Sequence, residues 1–166
     1  MNPTEFDEFH EIAFRLGLAA VLGLVMGIDR DLRHKPAGVR VLAMVALGAA
    51  LATLASITAV TGMTGMTGAA PDGALRTVQG ILGGIGFLGA GVIMRRTDQD
   101  EVHGITTAAC IWVAAVLGIT CGLGQWLVTF TAFGLAMTVL IGGRRLESWL
   151  LECYGSPPDG TSSPGK

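Results

Sequence analysis

The amino-acid sequence predicts an all-α integral membrane protein with a bundle of five transmembrane helices. Hydrophobic residues make up 51% of the 166 positions and the mean hydropathy is +0.58. Only 14% of the residues are charged, whereas soluble domains average about 25%. The apolar residues fall into five runs separated by the charged ones. A soluble chain with five such helices would have little polar surface for water, so we expect the helices to lie in lipid.

The five runs have the length that a membrane crossing requires. A helix rises about 1.5 Å per residue, so about 20 residues cross a hydrocarbon core of about 30 Å. The predicted spans are residues 12–28, 41–60, 78–94, 105–120 and 123–141. They form a membrane domain over residues 12–145, after a periplasmic N-terminus at 1–11. Beyond it we expect an interfacial helix extension at 146–154 and a disordered Pro-, Gly- and Ser-rich tail at 155–166.

Charge predicts that the first span is retained and which way the spans run. A signal peptide carries positive charge before its apolar run, whereas this run follows Glu5, Asp7, Glu8 and Glu11. Lys and Arg residues favour the cytoplasmic side of a membrane. Nine of them follow spans one, three and five, and only Arg76 lies on the other side, with Arg15 inside span one left out. The N-terminus is therefore predicted outside and the C-terminus in the cytoplasm.

The densest charge lies in the loop after span one. Asp29 and Asp31 stand at the C-terminal end of a helix, where the helix dipole disfavours anions. Arg30 and Arg33 would compensate them; alternatively, the carboxylates face the positive end of span four or a cation such as Mg²⁺. No spacing requires a metal ion, and no metal site is predicted.

Polar side chains also occur at the ends of spans one and four. Glu11 precedes Arg15 by four residues, the favourable order for an ion pair on a helix. We expect Arg15 near the outer interface, where it pairs with Glu11 or extends its side chain toward the headgroups; the alternative is a functional Arg15 in a polar cavity. Thr106 and Thr107 begin span four, whose positive dipole end favours an anion or a carboxylate.

Glycine, at 25 of 166 residues, predicts close packing between helices, because small residues let helix backbones approach each other in a membrane. Span three has small residues on two faces, which predicts a central helix; the alternative is a helix that lines a path through the membrane. The predicted packing glycines are Gly23, Gly27, Gly80, Gly84, Gly86, Gly89 and Gly91.

The chain also contains a weak internal similarity. In residues 12–60 and in residues 78–120, a glycine-rich end of the first helix is followed by basic residues. The second helix then begins near Gly38 in one segment and near Gly104 in the other. This pattern indicates a possible parallel two-helix repeat, with the fifth span appended.

Three blocks of the sequence carry a family resemblance: "GLVMGIDRDLRHKPAGVRVLAMVALGAAL", "GGIGFLGAGVIMRR" and "VHGITTAACIWVAAVLG". Together they resemble the MgtC/SapB family of bacterial inner-membrane proteins, and the resemblance covers residues 10–145. The family's acid-Arg-acid triplet falls at residues 29–31, with Asp in place of the commoner Glu. The resemblance implies a functional cytoplasmic cluster of Asp29, Arg30, Asp31, Lys35, Pro36, Gly38, Arg40, Thr106 and Thr107.

The resemblance also implies a role. It implies a non-enzymatic protein of the bacterial inner membrane, linked to growth at low magnesium or survival inside host phagocytes. The expected partners are the lipid bilayer, other membrane proteins including the ATP synthase, and a second copy of the chain. Many family members carry a cytoplasmic ACT-like domain after span five, and with 21 residues after Arg145 we expect this chain to lack it.

Other function classes are less consistent with the sequence. A small transporter or channel, for Mg²⁺ or a small solute, is the alternative, but it needs polar groups at the membrane midplane and here they gather at the cytoplasmic ends. An enzyme is disfavoured because we find no nucleophile–base pair, HExxH or phosphate loop. The net charge of -2 argues against nucleic acid, and three scattered cysteines argue against a zinc site. No cofactor is predicted.

Overall fold

The computed structural model describes residues 3–64, 71–95 and 102–154, and this part of the chain is almost entirely helical. The prediction of an all-α protein with five long helices is confirmed. Two short strands pair between the third and fourth helices, with Met94 opposite His103 and Arg95 opposite Val102. The elements are α1 (Pro3–Asp31), α2 (Val39–Thr64), α3 (Pro71–Val92), β1 (Met94–Arg95), β2 (Val102–His103), α4 (Ile105–Gly122) and α5 (Trp126–Tyr154).

Each helix is long and apolar enough to cross a bilayer. The candidate spans are Glu5–Asp31, Val39–Val60, Gly73–Val92, Ile105–Gly122 and Trp126–Gly143. Large apolar side chains also lie on the outside of the helices, including Phe87 at 82% exposure and Leu127 at 83%. Such a surface suits lipid, in which helices satisfy their own backbone hydrogen bonds. The chain is therefore a multi-pass membrane protein, while its orientation and the two-helix repeat stay predictions.

The helices begin and end at positions different from the predicted spans. Helix α1 begins at Pro3, so most of the predicted N-terminal segment is helical, and α3 begins at Pro71, seven residues before its predicted span. Proline suits a first helical turn, where its missing N–H is not needed. Helix α5 begins at Trp126 instead of 123, because Gly124 adopts φ +71° in the preceding turn. The helix continues through residues 146–154; the predicted tail, 155–166, lies outside the described residues.

The chain divides into two compact units, Met1–Phe133 and Gly134–Lys166. The first unit contains α1 to α4 and the first two turns of α5. In it, Thr129 of α5 donates a hydrogen bond to Thr120 of α4 at 2.8 Å. The described part of the second unit is the remainder of α5.

Helix α4, not α3, is the central helix of the first unit. It packs against α1, α2 and α3, and 61% of its membrane span is buried, compared with 6% for α3. Its buried positions include Cys110, Ala114, Ala115 and Gly118, whose small side chains let three helices approach. The prediction that span three is central is wrong, because small residues permit close packing without saying which helix supplies the neighbour.

An arginine of α1 contacts the C-terminal end of α4, which the predicted orientation places on the outer side. Arg15 Nη1 donates a hydrogen bond to the carbonyl oxygen of Gly122 at 2.8 Å, and Nη2 pairs with Glu11. The predicted Glu11–Arg15 ion pair is thereby confirmed. Because the last carbonyls of a helix have no partner within it and carry partial negative charge, Arg15 stabilises the C-terminus of α4.

Candidate functional site

The other end of α4 meets α1 at a buried arginine. Arg30, in the last turn of α1, is only 4% exposed, and it is the one buried charged residue among those whose burial the structure describes. Its Nη2 donates hydrogen bonds to Thr107 Oγ1, in the first turn of α4, and to the carbonyl oxygen of Pro36 at 3.4 Å. Burial of a guanidinium is costly unless its N–H groups are paired, and these contacts offset part of that cost.

The chain leaves α1 through a tight turn that brings Pro36 beside Arg30. The N–H of His34 donates to the carbonyl oxygen of Asp31 at 3.0 Å, and that of Lys35 to the carbonyl oxygen of Arg30 at 3.1 Å. His34 has φ +51°, so the pair of bonds is a Schellman motif with histidine where glycine is usual. Pro36 then prevents the helix from continuing.

Asp31 joins the end of α1 to the start of α2. Its Oδ2 accepts a hydrogen bond from the backbone N–H of Val39 at 3.0 Å, which caps the first turn of α2. An acidic group is favourable there because the N-terminus of a helix carries partial positive charge. A Cβ at Gly38 would overlap the Asp31 carboxylate, so a larger residue there would displace that carboxylate from the N–H of Val39. The positive φ of this turn, +58°, lies at Ala37.

The remaining cluster residues lie around this junction without joining it. Asp29 Oδ1 accepts a hydrogen bond from Arg33 Nε at 2.7 Å, so the compensation expected for this carboxylate is present. Lys35, Arg40 and Thr106 are exposed. The structure therefore brings together Arg30, Asp31, Pro36, Gly38 and Thr107, and leaves Asp29 in a separate pair.

The described residues do not form a metal-ligand set. No three His, Cys, Asp or Glu side chains among them lie close enough to hold an ion. Asp29 already pairs with Arg33, and Asp31 already caps α2. The arrangement is chemically a set of charge-assisted hydrogen bonds that fixes the ends of α1, α2 and α4 relative to one another.

The predicted packing glycines fall into two groups. Gly23 and Gly27 of α1 lie against the backbone of α2: a Cβ at Gly23 would be 2.6 Å from the carbonyl oxygen of Leu42. On α3, a Cβ at Gly89 would make an ordinary contact with Ala108 at 3.6 Å. A Cβ at any of the other four would meet no atom of a neighbouring element within 4 Å: Gly80, Gly84, Gly86 and Gly91.

An uncovered face of α3 results from this arrangement. Gly83, Gly86, Phe87 and Ala90 follow the spacing i, i+3, i+4, i+7, which places them on one side of the helix. All four are exposed, and we call them the α3 outer face. A Cβ at Gly83 or Gly86 would meet nothing within 4 Å.

Arg33 was expected to compensate Asp29, and the i+4 spacing of the two residues is the sequence signal for this pair. Sequence reasoning missed two glycines of α4 and one long-range contact. Gly118 and Gly122 of α4 pack against α2, where a Cβ at Gly122 would lie 2.8 Å from Thr53 Cβ. The contact of Arg15 with Gly122 spans 107 residues, and nothing in the local sequence indicates it.

Comparison with known proteins places the chain in a family. The model of the MgtC family matches residues 16–149, which include the charged junction and all of α2, α3 and α4. The chain belongs to the MgtC family. The similarity therefore extends over the first unit from α1 onward and well into α5.

Three curated relatives of the MgtC family are similar over most of this chain. Protein SrpB of Synechococcus elongatus is 38% identical over 86% of this chain and 81% of its own length. Protein SapB of Bacillus subtilis is 36% identical over 87% of the chain and 60% of SapB. Protein MgtC of Salmonella typhimurium is 42% identical over 74% of the chain and 46% of MgtC. The chain thus spans about half the length of MgtC, and no solved structure matches it.

Proposed function

We propose that this MgtC-family protein is a non-enzymatic regulator of other membrane proteins in the bacterial inner membrane. It acts by binding a transmembrane helix of its partner on the α3 outer face. A link to growth at low magnesium or to intracellular survival, and the ATP synthase as one partner, follow from the family resemblance. A second copy of the chain is a further possible occupant of the same face.

The observation that carries the proposal is the exposure of the α3 outer face. Close backbone approach drives helix association in lipid, because lipid tails are as apolar as the helices. Gly83 and Gly86 permit such an approach, and Phe87, at 82% exposure, supplies a large side chain on the same face. A partner helix would cover small residues that the rest of the described chain leaves open.

The distribution of charge supports a regulator over a transporter. Arg30 is the only buried charge among the residues whose burial is described, and it lies in the last turn of α1. The buried hydroxyl of Thr53 is already bonded to the carbonyl oxygen of Ala49 in its own helix. A path for an ion needs polar groups at the midplane, and these contacts do not provide one.

Site-specific photo-crosslinking in native membranes tests the proposal. A photoreactive phenylalanine analogue at Phe87 should give an adduct with another membrane protein, identified by mass spectrometry. The matched control is the same analogue at Leu51, which is 55% exposed on α2 and is not part of the α3 outer face. Equal adducts from both positions, or adducts with this chain alone, would contradict binding of a partner protein. Robust Mg²⁺ flux into liposomes that contain the purified chain would favour the transporter instead.

A further inference from the structure

A groove of about 790 Å³ runs between α2 and α3, beside the α3 outer face but separate from it. The α2 side includes Met44 and Gly48, and the α3 side includes Gly80, Gly84 and Leu88. Apart from Arg40, every residue that lines it is apolar or glycine.

The groove is open because glycines line it. A Cβ at Gly48, Gly80 or Gly84 would meet no atom of a neighbouring element within 4 Å. Below them, Ala49 of α2 packs with Ile81 and Ile85 of α3 in the core, which closes the bottom of the groove. A linear apolar molecule can therefore lie between the two helices.

The length of the groove matches one leaflet of a bilayer. On α2 its lining extends from Arg40 to Ala49, which at about 1.5 Å per residue is about 14 Å. One half of a hydrocarbon core is about 15 Å thick. A partner helix would cross both leaflets, so a groove of this length suits an acyl chain better.

Arg40 supplies a charge at the end of the groove where headgroups lie. It is the second residue of α2, at the start of the membrane span, and its side chain is exposed. It makes no hydrogen bond or ion pair with the residues that the structure describes. A guanidinium binds phosphate oxygens through two parallel hydrogen bonds, and it reaches the headgroup region readily from a helix end.

We propose that the α2–α3 groove binds an anionic phospholipid, with an acyl chain between the helices and the phosphate at Arg40. The lipid would come from the leaflet at the α2 N-terminus, which the distribution of Lys and Arg predicts to be cytoplasmic. This inference does not depend on the proposed regulatory function, because it uses a different surface of α3.

Native mass spectrometry of the purified full chain tests the inference. The chain is equilibrated in micelles with equal amounts of phosphatidylglycerol and phosphatidylcholine that carry the same acyl chains. Wild type should retain phosphatidylglycerol preferentially. Arg40→Gln should lower its retention about fivefold, toward the level of phosphatidylcholine, because the charge attraction is lost. Gly84→Leu should lower retention of both lipids, because the new side chain fills the groove.

Gly83→Leu is the matched control, since it makes the same change one position away on the α3 outer face. It should retain both lipids as wild type does. Equal retention by the Gly83 and Gly84 variants, or an unchanged lipid preference in Arg40→Gln, would overturn the inference. A dimer seen for wild type and lost in Gly84→Leu, with unchanged lipid retention, would show that two copies meet at the groove. That result would also overturn the inference. The crosslinking experiment at Phe87 tests the proposed function separately, so neither result here would decide it.

Discussion

At the scale of single residues, Arg30 stands out as the one buried charge among the residues whose burial is described. Its guanidinium is buried, one Nη donates to Thr107 and Pro36, and its Nε has no hydrogen-bond partner among the described residues. A buried polar group that loses its partner costs the full energy of its desolvation. The stability of this junction therefore depends on very few hydrogen bonds.

Replacement of Thr107 by valine tests this dependence. The change keeps the shape of the side chain and removes the acceptor for Arg30, so the free energy of unfolding should fall by about 1–3 kcal/mol. Equilibrium unfolding in mixed micelles, followed by far-UV circular dichroism, measures it. Thr106→Val, at the exposed neighbouring position, is the control and should change stability little. Equal effects of the two variants would show that the Arg30–Thr107 bond does not stabilise the fold.

Some side-chain contacts of α1 were predictable from local sequence, and others were not. The four-residue spacings of Glu11 with Arg15 and of Asp29 with Arg33 indicate ion pairs that the structure contains. The bond between Arg30 and Thr107 joins residues 77 positions apart, so it depends on how the helices pack. The left-handed conformation at Ala37, next to a glycine that would adopt it at lower cost, has no sequence signal.

At the scale of helices, glycine has opposite roles in α3 and α4. Gly118 of α4 lies against the backbone of α2, and a Cβ there would overlap the carbonyl oxygen of Ala46. The open glycines of α3 instead leave room for something outside the chain. The sequence shows which helices are rich in glycine, but the neighbour of each glycine is a property of the tertiary structure.

Matched alanine substitutions separate these two roles. Gly118→Ala forces α2 and α4 apart and should destabilise the protein by about 1–3 kcal/mol. Gly48→Ala, also in a helix of this pair, meets nothing within 4 Å and should be neutral or stabilise by up to about 1 kcal/mol through helix propensity. Both variants gain the same propensity, so the difference between their unfolding free energies reports packing. A difference near zero would contradict the tight α2–α4 contact.

At the scale of the whole molecule, composition and the length of the apolar runs were sufficient to predict five membrane helices. Apolar length determines whether a segment can cross a bilayer, and this property is local. The order of burial was not predictable, because α3 and α4 are both apolar and rich in small residues, yet α4 is central. The helix ends were also missed, since a helix continues beyond the apolar core until a turn residue such as Gly124 ends the run.

Thiol labelling tests the predicted orientation. In a Cys153→Ser background, in which Cys110 and Cys121 are buried, Lys35→Cys should react with a membrane-impermeant maleimide in inverted vesicles and not in intact spheroplasts. Glu8→Cys, on the predicted outer side, should show the reverse pattern. Both results follow from the excess of Lys and Arg after spans one, three and five. Labelling of Lys35→Cys in intact spheroplasts would reverse the predicted orientation.

The two arginines of α1 have a mechanical consequence. Arg15 donates a hydrogen bond to the last residue of α4, and Arg30 donates one to its first turn. The two contacts are fifteen positions apart on each helix, which is about 22 Å. If α1 moved along α4 by one turn, about 5.4 Å, both hydrogen bonds would break together. Helices α1 and α4 should therefore move together while both contacts hold, and α2, which packs closely on each of them, should move with them. A displacement within the first unit that keeps these contacts is then expected at α3.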